Sequence, residues 1–278
     1  MLVLRTIVEL REWRRTITGA LGLVPTMGYL HDGHLSLVRA SKTACDHTAA
    51  TIFVNPTQFG PTEDLSRYPR DEARDLALLE VEGVDAVFIP AVAEMYPDGF
   101  DTYVTVEHLT QRLEGASRPT HFRGVTTVVM KLLQIAQPDR AYFGQKDAQQ
   151  LAVVRRMVRD LDVPVEIVGM PIVREPDGLA LSSRNVYLTP EQRQAALVLN
   201  RALRHAEKRF ADGERDAAIL RGEMEAMIRA EPLAEIDYVS IAGANTLDEL
   251  DRIDCPALSS LAVRFGSTRL IDNVTLDP

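Results

Sequence analysis

Five short segments bring together residue types able to handle an anionic ligand. Thr26-Met27-Gly28-Tyr29-Leu30-His31-Asp32-Gly33-His34 follows the apolar run at residues 21–25. A strand that enters a glycine turn and then a helix presents backbone N–H groups and the positive helix end at one point, which attracts phosphate. His31 and His34, three apart, can turn both rings to one side as donors; exposed loop histidines or a metal-binding pair are the alternatives. Asn55-Pro56-Thr57-Gln58-Phe59 ends the second apolar run and offers two amides to hydroxyl or carboxylate groups, or simply caps a turn. Arg118-Pro119-Thr120-His121-Phe122-Arg123-Gly124 reads equally as an anion site or a solvated basic loop. In Phe143-Gly144-Gln145-Lys146-Asp147-Ala148-Gln149-Gln150, Gly144 permits close backbone approach and Lys146 gives a compact charge for phosphate. Asp147 there takes a ribose hydroxyl or caps a helix. Leu181-Ser182-Ser183-Arg184-Asn185 places two hydroxyls and a guanidinium on a loop suited to gripping and releasing a triphosphate, or merely solvated.

The elements that must position these segments alternate between strand and helix. Residues 21–25, 48–54 and 86–89 are continuous apolar runs, as strands covered on both faces should be. Helical spacing marks residues 34–44 and 70–82 between them. A second set follows: helix 124–137, strand 140–143, helix 148–160 and strand 165–170. This alternation predicts an α/β fold, an open parallel sheet with helices on both faces and ligands beyond the carboxyl ends of its strands. After Asn185 the pattern changes to long helices at 190–211 and 214–230, then three strands around Tyr238, Leu261 and Leu270. The expected division is a Rossmann-like domain over 1–180 and a smaller α+β domain over 181–278.

The chain of 278 residues, 46% hydrophobic and 26% charged, can bury a core without disulfide or metal staples. Its net charge of −9 argues against nucleic-acid or anionic-membrane partners. A small anionic substrate in a local basic pocket is compatible with it. Cys45 and Cys255 stand far apart and read as reduced thiols of a cytoplasmic protein. Arg5 and Glu9 interrupt the first ten residues, so these are not a signal peptide, and no apolar run nears the roughly 18 residues that cross a bilayer. No Gly-x-x-x-x-Gly-Lys-[Ser/Thr] loop, Gly-x-Gly-x-x-Gly fingerprint or Gly-x-Ser-x-Gly elbow occurs.

Taken in order, Pro25-Thr26-Met27-Gly28 with His31-x-x-His34, Phe53-Val54-Asn55-Pro56-x-Gln58-Phe59, His121-Phe122-x-Gly124-Val125, Pro138-Asp139-Arg140 with Phe143-Gly144-x-Lys146-Asp147, and Leu181-Ser182-Ser183-Arg184-Asn185 resemble the pantothenate synthetase family. The resemblance runs from about residue 5 to Asn273. It implies a His-x-Gly-His nucleotidyltransferase with a Rossmann-like domain and a carboxyl-terminal lid. It further implies an ATP-dependent ligase that joins (R)-pantoate to β-alanine through pantoyl adenylate, releasing AMP and pyrophosphate.

By that resemblance Met27, Gly28, Tyr29, Leu30, His31, Asp32, Gly33 and His34 bind ATP, with Gly144, Gln145, Lys146, Asp147, Val173, Leu181, Ser182, Ser183 and Arg184. His34, His31 and Lys146 are the implied catalytic groups, stabilising phosphate charge. Pantoate is assigned to Gln58, Gln150, Asn55, Arg118 and His121, and β-alanine to Gln58. Mg²⁺ would arrive on the ATP phosphates, with no dedicated protein metal site. A homodimer is implied. Gln145 departs from the family's usual Glu, removing a charge beside Lys146 while leaving the proposed contacts. A related nucleotidyltransferase that keeps AMP on its product is the alternative reading.

Overall fold

The computed structural model describes residues 1–61 and 63–278, and it falls into two compact units. The first comprises Met1–Gln145 and Gln150–Pro171; the second comprises Lys146–Gln149 and Ile172–Pro278.

In the first unit, β1 (Leu2–Leu4), β2 (Leu21–Thr26), β3 (His47–Ile52), β4 (Ala86–Phe88), β5 (Arg140–Gly144) and β6 (Glu166–Met170) form one sheet in the order β1-β4-β3-β2-β5-β6. Every pairing is parallel. The helices are α1 (Ile7–Thr16), α2 (Asp32–Ala44), α3 (Glu72–Val81), the single turns α4 (Val92–Met95) and α5 (Glu114–Ser117), α6 (His121–Ala136), and α7 (Ala148–Asp160), whose first residues group with the second unit. Leu35 and Val38 of α2 and Leu79 of α3 pack on Val24, Ala50, Ile52 and Val87, so apolar strand residues are buried as the sequence pattern requires. The sequence signal missed β1 and α1. The first is three residues long; the second opens on a capping box between Thr6 and Glu9 and buries only Leu10 and Trp13.

The direction of strand order reverses at β2, whose neighbours are β3 and β5. β2 pairs with β3 from Leu21 through Thr26, yet with β5 only at Gly22 and Leu23. Pro25 accounts for the early end. Leu21 accepts at its carbonyl from Asp139 N–H at 2.9 Å, on the β5 side, and alternation turns residue 25 the same way. Proline has no N–H to give β5 there, and the two strands part. The switch point of the sheet thus lies at the carboxyl ends of β2 and β5, where Met27–Gly28 and Gly144–Gln145 leave the strands and where ligands of such sheets bind.

The second unit holds α8 (Pro190–Ala211), α9 (Ala217–Arg229) and an antiparallel sheet of β7 (Ala234–Gly243), β8 (Ala257–Phe265) and β9 (Thr268–Leu276) in the order β7-β8-β9. Val198, Leu199, Ala202, Leu203 and Ala206 make one stripe of α8, and Leu220, Met224 and Ile228 one of α9; both bury against Leu261, Val263 and Phe265. The α/β class with a smaller α+β unit is the one expected from sequence. Among the described residues no helix is long and apolar enough to cross a membrane, and both cysteines are free.

Candidate active site

β2 delivers the chain to Gly28 and Tyr29, whose φ angles of 82° and 51° lie in the left-handed region. At residue 28 a Cβ would come within 2.9 Å of Ile52 and 3.0 Å of Asp75 Oδ2. Tyr29 holds the same handedness because of what its amide meets. Its N–H and that of Leu30 each donate to one oxygen of Asp75 at 2.7 Å, while Gly28 N–H donates to Thr26 Oγ1 at 3.1 Å. Asp75, on α3, is 1% exposed. Burial pushes its carboxyl above the ordinary range, and the two N–H bonds pull in the opposite direction. The amides that the sequence suggested for phosphate are thus already committed inside the protein.

The imidazole pair offers an anion a different set of donors. His31 is the N-cap of α2, with Nδ1 accepting from Gly33 N–H at 3.1 Å; His34 Nδ1 accepts from His31 N–H at 3.3 Å. A ring nitrogen that accepts carries no proton, so in both neutral rings the N–H lies on Nε2, an assignment made from the hydrogen-bond pattern. The ring centroids are 4.1 Å apart. Two Nε2 donors at the first turn of a 13-residue helix add to the positive potential of its N-terminus.

Beside this turn the short 3-10 helix Pro56–Gln58 lies against the start of α6. A Cβ at Gly124 would stand 2.4 Å from Thr57 O and 2.6 Å from Gln58 N, so this approach requires glycine. His121 Nδ1 donates to Gln58 O at 2.9 Å, and Arg118 Nη2 reaches the same carbonyl at 3.3 Å. Arg118 also forms a two-point ion pair with Glu63 at 2.6 and 2.7 Å. Burial, then the charge of Arg118, pushes His121 down to about 4, so the ring is neutral at physiological pH. Arg118 and His121 hold the Gln58 backbone. Gln58 Oε1 accepts from Asn55 Nδ2 at 3.0 Å, and Nε2 lies 3.0 Å from Met27 Sδ. Asn55, 1% exposed, is satisfied entirely within the protein.

In the second unit, Lys146 and Asp147 lie 3.9 Å apart, and Asn273 Nδ2 donates to Lys146 O at 2.9 Å. Asn273 follows Asp272, which takes Arg174 in a two-point ion pair at 2.6 and 2.9 Å. Arg174 stands on a hairpin: Leu181 N–H donates to Val173 O at 3.0 Å and Glu175 N–H to Leu179 O at 2.8 Å. Val173 and Leu181 are thereby neighbours. Ser182 caps the short helix Ser183–Tyr187, accepting from Arg184 N–H at 3.2 Å, and Ser183 is buried. In the first unit Gly144 and Gln145 leave β5, and Gln150 is half-buried on α7.

Asp75, Tyr96, Glu63 and Asn273 support these groups and carried no local signal of it. Each acts on a residue 40 or more positions away.

A family profile described as pantoate–β-alanine ligase matches residues 2–275. The chain belongs to the pantoate–β-alanine ligase family. It is 64% identical over 277 residues to the pantothenate synthetase of Roseiflexus sp. (strain RS-1), covering 100% of both chains. It is 63% identical to that of Chloroflexus aurantiacus (strain ATCC 29366 / DSM 635 / J-10-fl), covering 100% of this chain and 99% of the other. The crystal structure of pantothenate synthetase from Thermus thermophilus superposes with a TM-score of 0.96 at 52% identity, over 100% of each chain. A pantoate–β-alanine ligase from Francisella tularensis, complexed with beta-gamma ATP and β-alanine, matches with a TM-score of 0.81 at 33% identity, over 99% and 97%. As a pantoate–β-alanine ligase the chain is an ATP-dependent, acid–amine-joining enzyme.

Proposed function

We propose that the chain's own residues divide the ligation of (R)-pantoate and β-alanine as follows. Met27–His34 receive ATP, with the Nε2–H groups of His31 and His34 donating to phosphate oxygens. Lys146, Ser182, Ser183 and Arg184 hold the triphosphate. Gly144 and Asp147 take the ribose, Val173 meets the adenine, and Gln145 and Leu181 belong to the same ATP site. Gln58 and Gln150 bind pantoate, Arg118 and His121 fix the Gln58 backbone, and Gln58 stands beside the incoming β-alanine. Mg²⁺ would be held mainly by the ATP phosphates, where it would neutralise part of their charge.

In the first step a pantoate carboxylate oxygen attacks the α-phosphorus while the bond to pyrophosphate breaks. No proton need be removed from the carboxylate. His34 therefore acts as a hydrogen-bond donor to accumulating charge and not as a base. In the second step the β-alanine amine attacks the acyl carbon, loses a proton, and AMP leaves with the electrons of the acyl–phosphate bond. A homodimer in the cytoplasm is the assembly and location that accompany this reading.

The observation that carries the assignment is the paired acceptance at Nδ1 of His31 and His34, which puts the N–H donor of each ring on Nε2 at a helix start. The test is product analysis with ATP, Mg²⁺, (R)-pantoate and β-alanine. Equimolar AMP, pyrophosphate and pantothenate are expected, each dependent on both organic substrates. A product that retains AMP would instead support the nucleotidyltransferase alternative.

A further inference from the structure

A glutamine amide has two faces of opposite character, and only its surroundings decide which one a ligand meets. Around Gln58 the surroundings leave no choice. Asn55 Nδ2 donates to Gly124 O at 3.1 Å, and Asn55 Oδ1 accepts from Thr57 N–H at 3.3 Å. Both of those partners are backbone groups of fixed character, so the orientation of the Asn55 amide is determined. Its Nδ2 must then face an acceptor on residue 58, and that acceptor is Oε1 at 3.0 Å. Nε2 is left to face Met27 Sδ, a weak acceptor that a ligand oxygen readily replaces.

Tyr96 closes the network from behind. Its hydroxyl donates to Asn55 Oδ1 at 2.8 Å and lies 3.3 Å from Thr57 Oγ1. The ring is held edge-on against Phe100, with centroids 5.0 Å apart, and 6.2 Å from Phe53. Burial keeps the phenol protonated, so it stays a donor across the working pH range.

We infer that Tyr96 is a positioning residue for the acid substrate: its hydroxyl reinforces the Thr57 and Gly124 bonds that orient Asn55, and so helps hold the Gln58 amide with Nε2, and not Oε1, facing the ligand. This rests on the proposed pantoate role of Gln58 and adds a specificity to it. The position beside Met27 reads a hydrogen-bond acceptor, a carboxylate or carbonyl oxygen, and disfavours a donor. Tyr96 touches no substrate in this account. Its effect reaches the reaction only by way of residue 58.

The experiment is pantoate-dependent exchange of labelled pyrophosphate into ATP, measured on the full chain for Tyr96→Phe, Gln58→Ala and the double variant. Tyr96→Phe keeps the ring packing and removes one donor from Asn55 Oδ1, which retains Thr57. A rise of about 3- to 10-fold in the pantoate KM is expected, the scale of one net hydrogen bond, with the ATP KM unchanged. In the Gln58→Ala background the same substitution should add less than about 2-fold, because residues of one network couple. Asn55→Asp tests the orientation directly. It presents an oxygen to Gln58, turns Oε1 toward the ligand, and should weaken pantoate further than Tyr96→Phe does. If Asn55→Asp does not fold, the Tyr96 cycle alone decides. Equal effects of Tyr96→Phe on pantoate and ATP, or an undiminished effect without the Gln58 amide, would overturn the inference while leaving the ligase reading intact. Absence of both exchange and pantothenate formation in the unaltered chain would remove both.

Discussion

Gly124→Ala should break the acid-substrate half of the site although alanine is the better helix former. Gly124 lies in the first turns of α6, where replacing glycine by alanine ordinarily stabilises by about 0.5–1 kcal/mol. Here the new Cβ would stand 2.4 Å from Thr57 O, 2.5 Å from Thr57 C and 2.6 Å from Gln58 N. Ordinary contact lies near 3.5 Å, so the Pro56–Gln58 turn must retreat by roughly 1 Å. That retreat strains the bonds from Asn55 to Gly124 O and from His121 to Gln58 O. Overpacking of this kind costs about 1–3 kcal/mol, and each weakened hydrogen bond about 1 kcal/mol more. Set against the helix gain, the net expectation is destabilisation of about 2–4 kcal/mol by urea unfolding. The functional effect should be larger and selective, since a displacement near 1 Å at a reacting group can cost on the order of 10²-fold. Pantoate-dependent turnover should fall by that factor while ATP affinity holds. Gly222→Ala is the internal comparison: it lies within α9, its Cβ would meet nothing within 4 Å, and it should stabilise by about 0.5–1 kcal/mol. Full pantoate turnover in Gly124→Ala would refute the reasoning.

Other consequences can be checked in the same preparations. His34→Ala and Lys146→Ala should each lower turnover on the order of 10²-fold with little change in thermal midpoint, because each removes a donor to phosphate charge; near-normal rates in both would remove their assigned roles. Asp75→Asn replaces one acceptor of the Tyr29 and Leu30 amides with a donor, and it should raise the ATP KM several-fold more than the pantoate KM. His121 sits at about 4 when folded against about 6.5 when unfolded, so the unfolded chain takes up the proton first as pH falls. Its share of stability, on the order of 3 kcal/mol, is full above pH 6.5 and drains away between 6.5 and 4. Urea unfolding of the chain and of His121→Gln across that interval should reveal the slope in the former and its loss in the latter.

The sequence made the framework readable where a pattern was long or strongly apolar. Helix α8 spans Pro190–Ala211 as its spacing and leading proline suggested, and α7 matches residue for residue. The parallel sheet followed from unbroken apolar runs, while β1, three residues long, gave no period to read. At the site, the histidine pair and the Asn55–Gln58 segment stood out by residue type. Their connections did not. A carboxylate on a helix surface pattern, Asp75, proved to be the partner of amides 45 and 46 positions earlier. Arg118, in a segment that reads equally as an anion site or a solvated basic loop, directs its guanidinium to Glu63 and a backbone carbonyl. Local pattern names the groups able to do chemistry; only the fold reveals which of them are already engaged.

On the proposed mechanism this chain activates pantoate as an adenylate before any amine is involved. Exchange of labelled pyrophosphate into ATP, with Mg²⁺ and (R)-pantoate and without β-alanine, measures that step alone. Exchange should require pantoate and fall on the order of 10²-fold in His34→Ala. No exchange without β-alanine, together with pantothenate formation when it is added, would contradict the separate adenylate and require a concerted reaction instead.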